Sequence, residues 1–222
     1  MGVAAIVQAR MNSTRLPGKV LMDIGGKPML VRVIDRLRKA QTIDRIIIAT
    51  TNRVDDDKIV DLAAGMGVDA YRGTENDVLT RYYFCALRAK VEIVVRITGD
   101  CPCIDPYLVD LTVEEIESNQ WDFVTTTNSY PDGLDVETLS FEVLQRVWHD
   151  ATNPFHREHV TPYILENPSL FRVKKLDCST PITVKLSVDT REDLERVRSI
   201  YQRLGDSFGW KELLQTYSAP VA

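Results

Sequence analysis

Cysteine and histidine are scarce in this chain of 222 residues, which has four of the first and three of the second. Cys85, Cys101, Cys103 and Cys178 follow neither a disulfide framework nor zinc spacing. Cys101-Pro102-Cys103 leaves one residue between its thiols, where zinc sites use roughly two to four, so reduced structural thiols are expected. Basic residues are in deficit as well. The 27 lysines and arginines face 32 acids, a formal net charge of -5, which excludes a global positive field for holding nucleic acid. The aromatic residues show no stacking array for single strands. No stretch approaches the roughly 20 apolar residues of a membrane span, and MGVAAIVQAR is too short and lacks the basic leader of a signal sequence, so a cytoplasmic protein is expected. Any anion binding must therefore be local.

What is present is an alternation of apolar runs and helical patterns, the mark of βαβ units around a mostly parallel sheet. Strands are expected at 3–7, 45–50, 68–71 and 92–98, pairing side by side, with another near 121–126 and two more in FRVKKL and ITVKLSV. Helices are expected at about 28–39, 55–65, 76–89, 105–118, 140–149 and 154–166. A further helix opens on a capping-box pattern, Thr190-Arg191-Glu192-Asp193. Residues 127–139 read as irregular. Without repeats or a linker, the whole of 1–222 reads as one domain.

Ligands collect at the carboxyl ends of strands in such sheets. Three polar groups fall there: the loop from Gln8 to Lys19, Gly99-Asp100, and Asp189. They should share one face. The loop carries Arg10, Arg15 and Lys19 around Pro17 and Gly18, which suits a triphosphate cradle, although a solvated basic loop would look the same in isolation. It is not a Walker A loop, because Val20 follows Lys19. Asp100 reads either as a Mg²⁺ ligand, an ion that takes one or two carboxylates plus phosphate oxygens, or as a turn former. Asp189 reads either as its partner or as a helix cap. His156 and His159 in HREH have the spacing of a metal pair without an evident third ligand, and Asp55-Asp56-Asp57 reads as first-turn acid facing a helix dipole.

The run Ala9-Arg10-x-x-Ser13-Thr14-Arg15-Leu16-Pro17-Gly18-Lys19, with Asp23-Ile24-x-Gly26-Lys27-Pro28-Met29 behind it, resembles the start of the CMP-sugar synthetases, above all the 3-deoxy-manno-octulosonate cytidylyltransferases. Gly99-Asp100-x-Pro102-x-Ile104 is similar to that family's metal-binding strand end. Val188-Asp189-Thr190-x-Glu192-Asp193-Leu194 is similar to its C-terminal motif. Closer still, QAR…S.RLPGKVL, GDCP.IDP and EHVTPY resemble the spore coat polysaccharide biosynthesis protein F family. The resemblance implies a three-layer α/β fold with a mostly parallel mixed sheet, a Rossmann-like nucleotide-diphospho-sugar transferase (GT-A-like) architecture. It implies that Gln8, Ala9, Arg10, Arg15, Lys19, Arg81 and Thr98 meet the nucleotide, that Asp100 and Asp189 hold Mg²⁺, and that Lys19, Arg15 and Asp100 serve catalysis. It also implies a homodimer, with the helix around Glu158 to Leu165 a plausible contact.

The expected activity is a Mg²⁺-dependent cytidylyltransferase joining CMP from CTP to a small acidic sugar for surface polysaccharide such as spore coat. Asp132, Asp135 and Glu137 in the irregular segment are acceptor candidates, or simply a polar turn. The alternative is a nucleotide-sugar-dependent glycosyltransferase of the same fold. Against it stand Asp100-Cys101-Pro102, which lacks the second acid of Asp-x-Asp, and the basicity of residues 10–19.

Overall fold

The computed structural model describes residues 2–118, 120–178 and 184–218. Along the chain come β1 (Val3–Gln8), a hairpin of β2 (Asp23–Ile24) and β3 (Lys27–Pro28), α1 (Met29–Leu37), β4 (Arg45–Thr51) and α2 (Asp57–Gly65). Then follow β5 (Asp69–Gly73), α3 (Val78–Ala89), β6 (Ile93–Thr98), α4 (Pro106–Glu117), β7 (Phe123–Thr126), β8 (Glu137–Ser140) and α5 (Phe141–Asp150). The described chain ends with α6 (Pro154–His159), α7 (Pro162–Glu166), β9 (Val173–Leu176), α8 (Arg191–Leu204) and α9 (Trp210–Ser218).

The main sheet has the order β5-β4-β1-β6-β8-β7-β9. The four strands expected to pair side by side do so, all parallel, with Gln8 opposite Ala49 on one side and Thr98 on the other. β1 is central because VAAIVQ has almost no polar face: Ala4, Ala5, Ile6 and Val7 are fully buried, as a strand covered by helices on both sides requires. One layer packs residues of α1, α2, α4, α8 and α9 onto the sheet; the other packs those of α3, α5 and α7. Each fully buried Ile, Leu or Phe contributes about 1.5–3 kcal/mol of transfer free energy, which makes these two cores the main stabilising element. Caps fix where helices begin. Ser140 accepts from Val143 N, Asp77 from Thr80 N, and Thr190 and Asp193 complete the expected capping box.

Three expectations need correction, and one element was not expected at all. The stretch 127–139 is not wholly irregular, because Glu137 begins β8, an antiparallel strand between β6 and β7. ITVKLSV forms no strand over its described part, 184–188, where Lys185 makes only a single bridge to Asp132; its first residues lie outside the described ones. The helix expected over 154–166 breaks at Val160, whose φ of 73° and ψ of -64° make a γ-turn closed by Thr161 N on His159 O at 2.9 Å. α9 is an addition that no sequence pattern announced.

Candidate active site

The loop after β1 is built to turn its cations inward. Ser13 N and Gly18 N both donate to Met11 O, at 3.0 and 2.8 Å, and Gly18 takes a left-handed φ of 72° that a side chain would strain. That reversal starts a short 3₁₀ turn at Lys19 and sends the lysine into the protein, where it is 8% exposed. Asp56 anchors the other end: its Oδ1 accepts from Met11 N at 2.7 Å, and its Oδ2 from Thr51. Asp56 does sit at the helix start as expected, at the N-cap of α2, and it is fully buried, so its carboxylate also anchors the basic loop.

At the end of β6, Gly99 N bonds Gln8 O at 2.8 Å, and a Cβ at Gly99 would stand 2.9 Å from that same oxygen. Glycine there lets the two strand ends close up and delivers Asp100 beside Lys19. Asp100 O accepts from Val188 N at 2.9 Å, which draws the Asp189 segment to the same place without a strand. Lys19 Nζ then donates to Asp100 Oδ2 at 2.6 Å, Val188 O at 2.7 Å and Asp189 Oδ1 at 3.0 Å. Its three protons have three acceptors. Arg15, with a side chain 65% exposed, reaches Asp189 Oδ1 at 2.7 Å, and Lys185 reaches Oδ2 at 3.0 Å. Burial would raise the Asp189 carboxyl, but hydrogen bonds from Lys19 and Lys185 outweigh it and hold the group below the usual carboxylate range.

These groups border a cleft of about 310 Å³ at the carboxyl ends of β1 and β6. Gln8, Ala9, Arg10, Arg15, Lys19, Arg81, Thr98, Asp100 and Asp189 all line it, so the three polar groups do share one face. Arg81 is 2% exposed, and burial holds its guanidinium below its usual range. Thr98 Oγ1 meets Cys101 Sγ at 3.0 Å. Burial, with the charge of Asp100, pushes the Cys101 thiol well up, so it is protonated at neutral pH and is no nucleophile.

One carboxylate oxygen each from Asp100 and Asp189 converges on the Lys19 ammonium. The donor set, hard oxygens from Asp100 and Asp189, suits Mg²⁺ or a similar ion. Among the described residues no group of three or more acids, histidines or cysteines is gathered as a metal cluster. His156 and His159 diverge: His156 Nε2 meets Glu166 at 2.7 Å, whereas His159 borders the cleft.

A cytidylyltransferase family model matches residues 4–207. The chain belongs to the cytidylyltransferase family. As a member it is a nucleotidyltransferase. It is 39% identical over 198 residues to the protein MJ1063 of Methanocaldococcus jannaschii, covering 88% of this chain and 81% of that one. Spore coat polysaccharide biosynthesis protein SpsF of Bacillus subtilis is 32% identical over 209 residues, covering 90% and 87%. A 3-deoxy-manno-octulosonate cytidylyltransferase of Rhizobium johnstonii is 31% identical over 223 residues, covering 90% and 83%. The solved structure of a cytidylyltransferase from Leptospira borgpetersenii superposes with a TM-score of 0.94 at 32% identity, covering 97% of this chain and 93% of that one.

In this cytidylyltransferase the acceptor candidates stand apart from the cleft lining. Glu137 is committed to an internal pair: one oxygen meets Arg96 and the other accepts from Thr161 Oγ1 at 2.7 Å. Asp135 accepts from Gly133 N at 2.9 Å, and Asp132 O holds Leu186 N at 2.6 Å. Sequence reading missed Arg96, which lines the cleft, and Lys185, which flanks Asp189, and it gave Glu158 and His159, which also line the cleft, other roles, a dimer contact and a metal pair. EHVTPY was the available signal for Glu158 and His159, but helical spacing gave no hint that a γ-turn at Val160 would end α6 at the cleft rim.

Proposed function

We propose that this cytidylyltransferase uses Mg²⁺ and CTP to load CMP onto a hydroxyl of an acidic sugar of the ulosonic-acid class, releasing pyrophosphate. The convergence of Asp100 and Asp189 on Lys19, beside the exposed cations of residues 10–15, carries the reading. The hydroxyl oxygen bonds to the α-phosphorus as the bond from that phosphorus to the pyrophosphate oxygen breaks, and the hydroxyl proton passes to solvent. Arg10 and Arg15 bind the β- and γ-phosphates and neutralise the leaving group, because both are exposed enough to swing onto it. Lys19 fixes the two carboxylates and the loop between them, so the phosphates meet a preformed geometry. Gln8, Ala9, Arg81 and Thr98 wall the nucleoside side. Glu158 and His159, which line the cleft, face the acceptor.

Mg²⁺ held by Asp100 and Asp189 would supply charge neutralisation at the phosphates and a lower pKa for the attacking hydroxyl. The likeness to a 3-deoxy-manno-octulosonate cytidylyltransferase and to a spore coat polysaccharide protein supports an acidic sugar and a role in surface polysaccharide. The test is to incubate the protein with Mg²⁺, each nucleoside triphosphate in turn and a panel of ulosonic acids while following pyrophosphate. Signal is expected with CTP and is expected to vanish in Asp100→Ala with the fold intact. No pyrophosphate from any pair, together with consumption of a nucleotide sugar, would replace this reading with the glycosyltransferase one.

A further inference from the structure

Arg36 and Asp105 are each 2% exposed, and neither takes part in the chemistry above. Burying a charged pair carries a desolvation penalty that apolar packing avoids, so its presence calls for a geometric reason. The loop from Asp100 to Asp105 supplies one. Its carbonyls are held in turn: Asp100 O by Val188 N at 2.9 Å, Cys101 O by Ile104 N at 3.1 Å, Pro102 O by the Tyr201 hydroxyl at 2.5 Å, and Ile104 O by Arg36 Nε at 2.5 Å. Arg36 Nη2 also donates to Phe208 O at 2.9 Å and lies 4.0 Å from Asp105 Oδ2. Asp105 accepts from Tyr107 N at 2.9 Å, opening α4, and from Trp210 N at 2.6 Å, opening α9. One buried carboxylate therefore ties the starts of two helices to the loop that begins at Asp100. The second of those helices lies beyond residue 207, where the family match stops.

We propose that Arg36, Asp105 and Tyr201 are positioning residues for Asp100, clasped by the segment 205–218, so that metal affinity in the cleft depends on a C-terminal helix outside it. The proposal rests on the reading of Asp100 as a metal-holding carboxylate. Groups that orient a metal ligand change affinity about 10- to 100-fold when removed.

Mn²⁺ is the probe, titrated into the full-length protein with and without CTP and followed by electron paramagnetic resonance of the free ion, with thermal melting alongside. The variants are Asp105→Asn, Tyr201→Phe and Asp110→Asn. Asp110 holds the amides of Gln41 and Thr42 at 2.8 and 2.9 Å, near the opposite end of the sheet, and serves as the stability control. Asp105→Asn should weaken Mn²⁺ binding about tenfold. Tyr201→Phe should move it in the same direction, while Asp110→Asn lowers the melting temperature and leaves Mn²⁺ affinity unchanged. Wild-type affinity in Asp105→Asn overturns the proposal whatever its melting temperature. Should that variant not fold, wild-type affinity in Tyr201→Phe overturns it alone. Mn²⁺ that fails to bind the wild type in the presence of CTP removes the metal reading and the proposal together, and the wild-type trace separates that outcome from the others.

Discussion

The two ends of the sheet each carry a cavity, and by size they are equivalent: about 310 Å³ at the carboxyl ends of β1 and β6 and about 330 Å³ at the amino ends of β4 and β5. Their charges differ. The carboxyl-end cleft has five cationic side chains, Arg10, Arg15, Lys19, Arg81 and Arg96, against three carboxylates, Asp100, Glu158 and Asp189. The amino-end cavity has Arg38 and Arg45 against Asp44 and Asp69, with Arg45 and Asp69 paired at 2.5 Å and Asp44 spent on Val3 N at 2.8 Å. In a chain of net charge -5 the first is a local positive well and the second is neutral. Volume does not distinguish a site from a surface dent here, whereas surplus charge converging from distant segments does.

Matched substitutions at the two ends can break that contrast. Asp189→Asn removes a carboxylate shared by Arg15, Lys19 and Lys185 and is expected to lower kcat/KM for CTP at least about 100-fold, whereas Asp69→Asn stays within about twofold. Similar losses from both in a pyrophosphate assay would erase the distinction. Arg15→Ala should raise KM for the nucleotide about tenfold, the worth of one charge-assisted hydrogen bond, with a gap to wild type that shrinks as salt rises; Arg45→Ala should leave KM alone. Initial rates across a salt series decide it.

The smallest effect concerns what lies behind the cleft. Burial would raise the Asp193 carboxyl, but Lys185, Arg196 and the amides of Asp189 and Thr190 together hold it far below the usual range. A carboxyl lowered in the folded state adds stability that is complete above its unfolded pKa of about 4 and is lost as pH falls toward the folded value. Asp193→Asn should therefore lower the urea midpoint at pH 7, and the gap to wild type should close as the pH drops below about 4. A gap independent of pH would show that the capping geometry, and not the charge, carries the stability.

Much of this arrangement was legible in the sequence. β1, β4 and β6 are largely continuous apolar runs bounded by turn residues, as burial on both faces requires, whereas the edge strand β5 is short and polar, and strand ends in such a sheet point to one ligand side. Hence Arg10, Arg15, Lys19, Asp100 and Asp189 could be grouped before any coordinates. The failures have physical causes. β8 is four residues of ETLS, too short for alternation to register, and it exists because β6 and β7 offer it edges on both sides. ITVKLSV has a strand's composition, yet over 184–188 the chain is held by point contacts to Asp100 O and Asp132 O in place of a ladder. Val160 is β-branched and 1% exposed, the last residue type that local propensity would put at positive φ, and only the packing around it holds it there. Arg96 was missed, and Glu158 and His159 were read in other roles, because tertiary placement, and not their local pattern, brings them to the cleft.

β8 runs against all its neighbours, and that reversal has an architectural consequence. It lets the chain leave the four-strand parallel half after α4, build β7 and return between β6 and β7, so Arg96 of the first half is gripped by Glu137 of the second across a seam. Within the sheet the outer half, from residue 121 through β9, meets the inner one through the β6–β8 pairing alone, so the parallel registers of β1 with β4 and β6 do not depend on it. Under the proposed CMP transfer, a scaffold divided in this way would let the acceptor side change while the phosphate-facing loop after β1 keeps its frame.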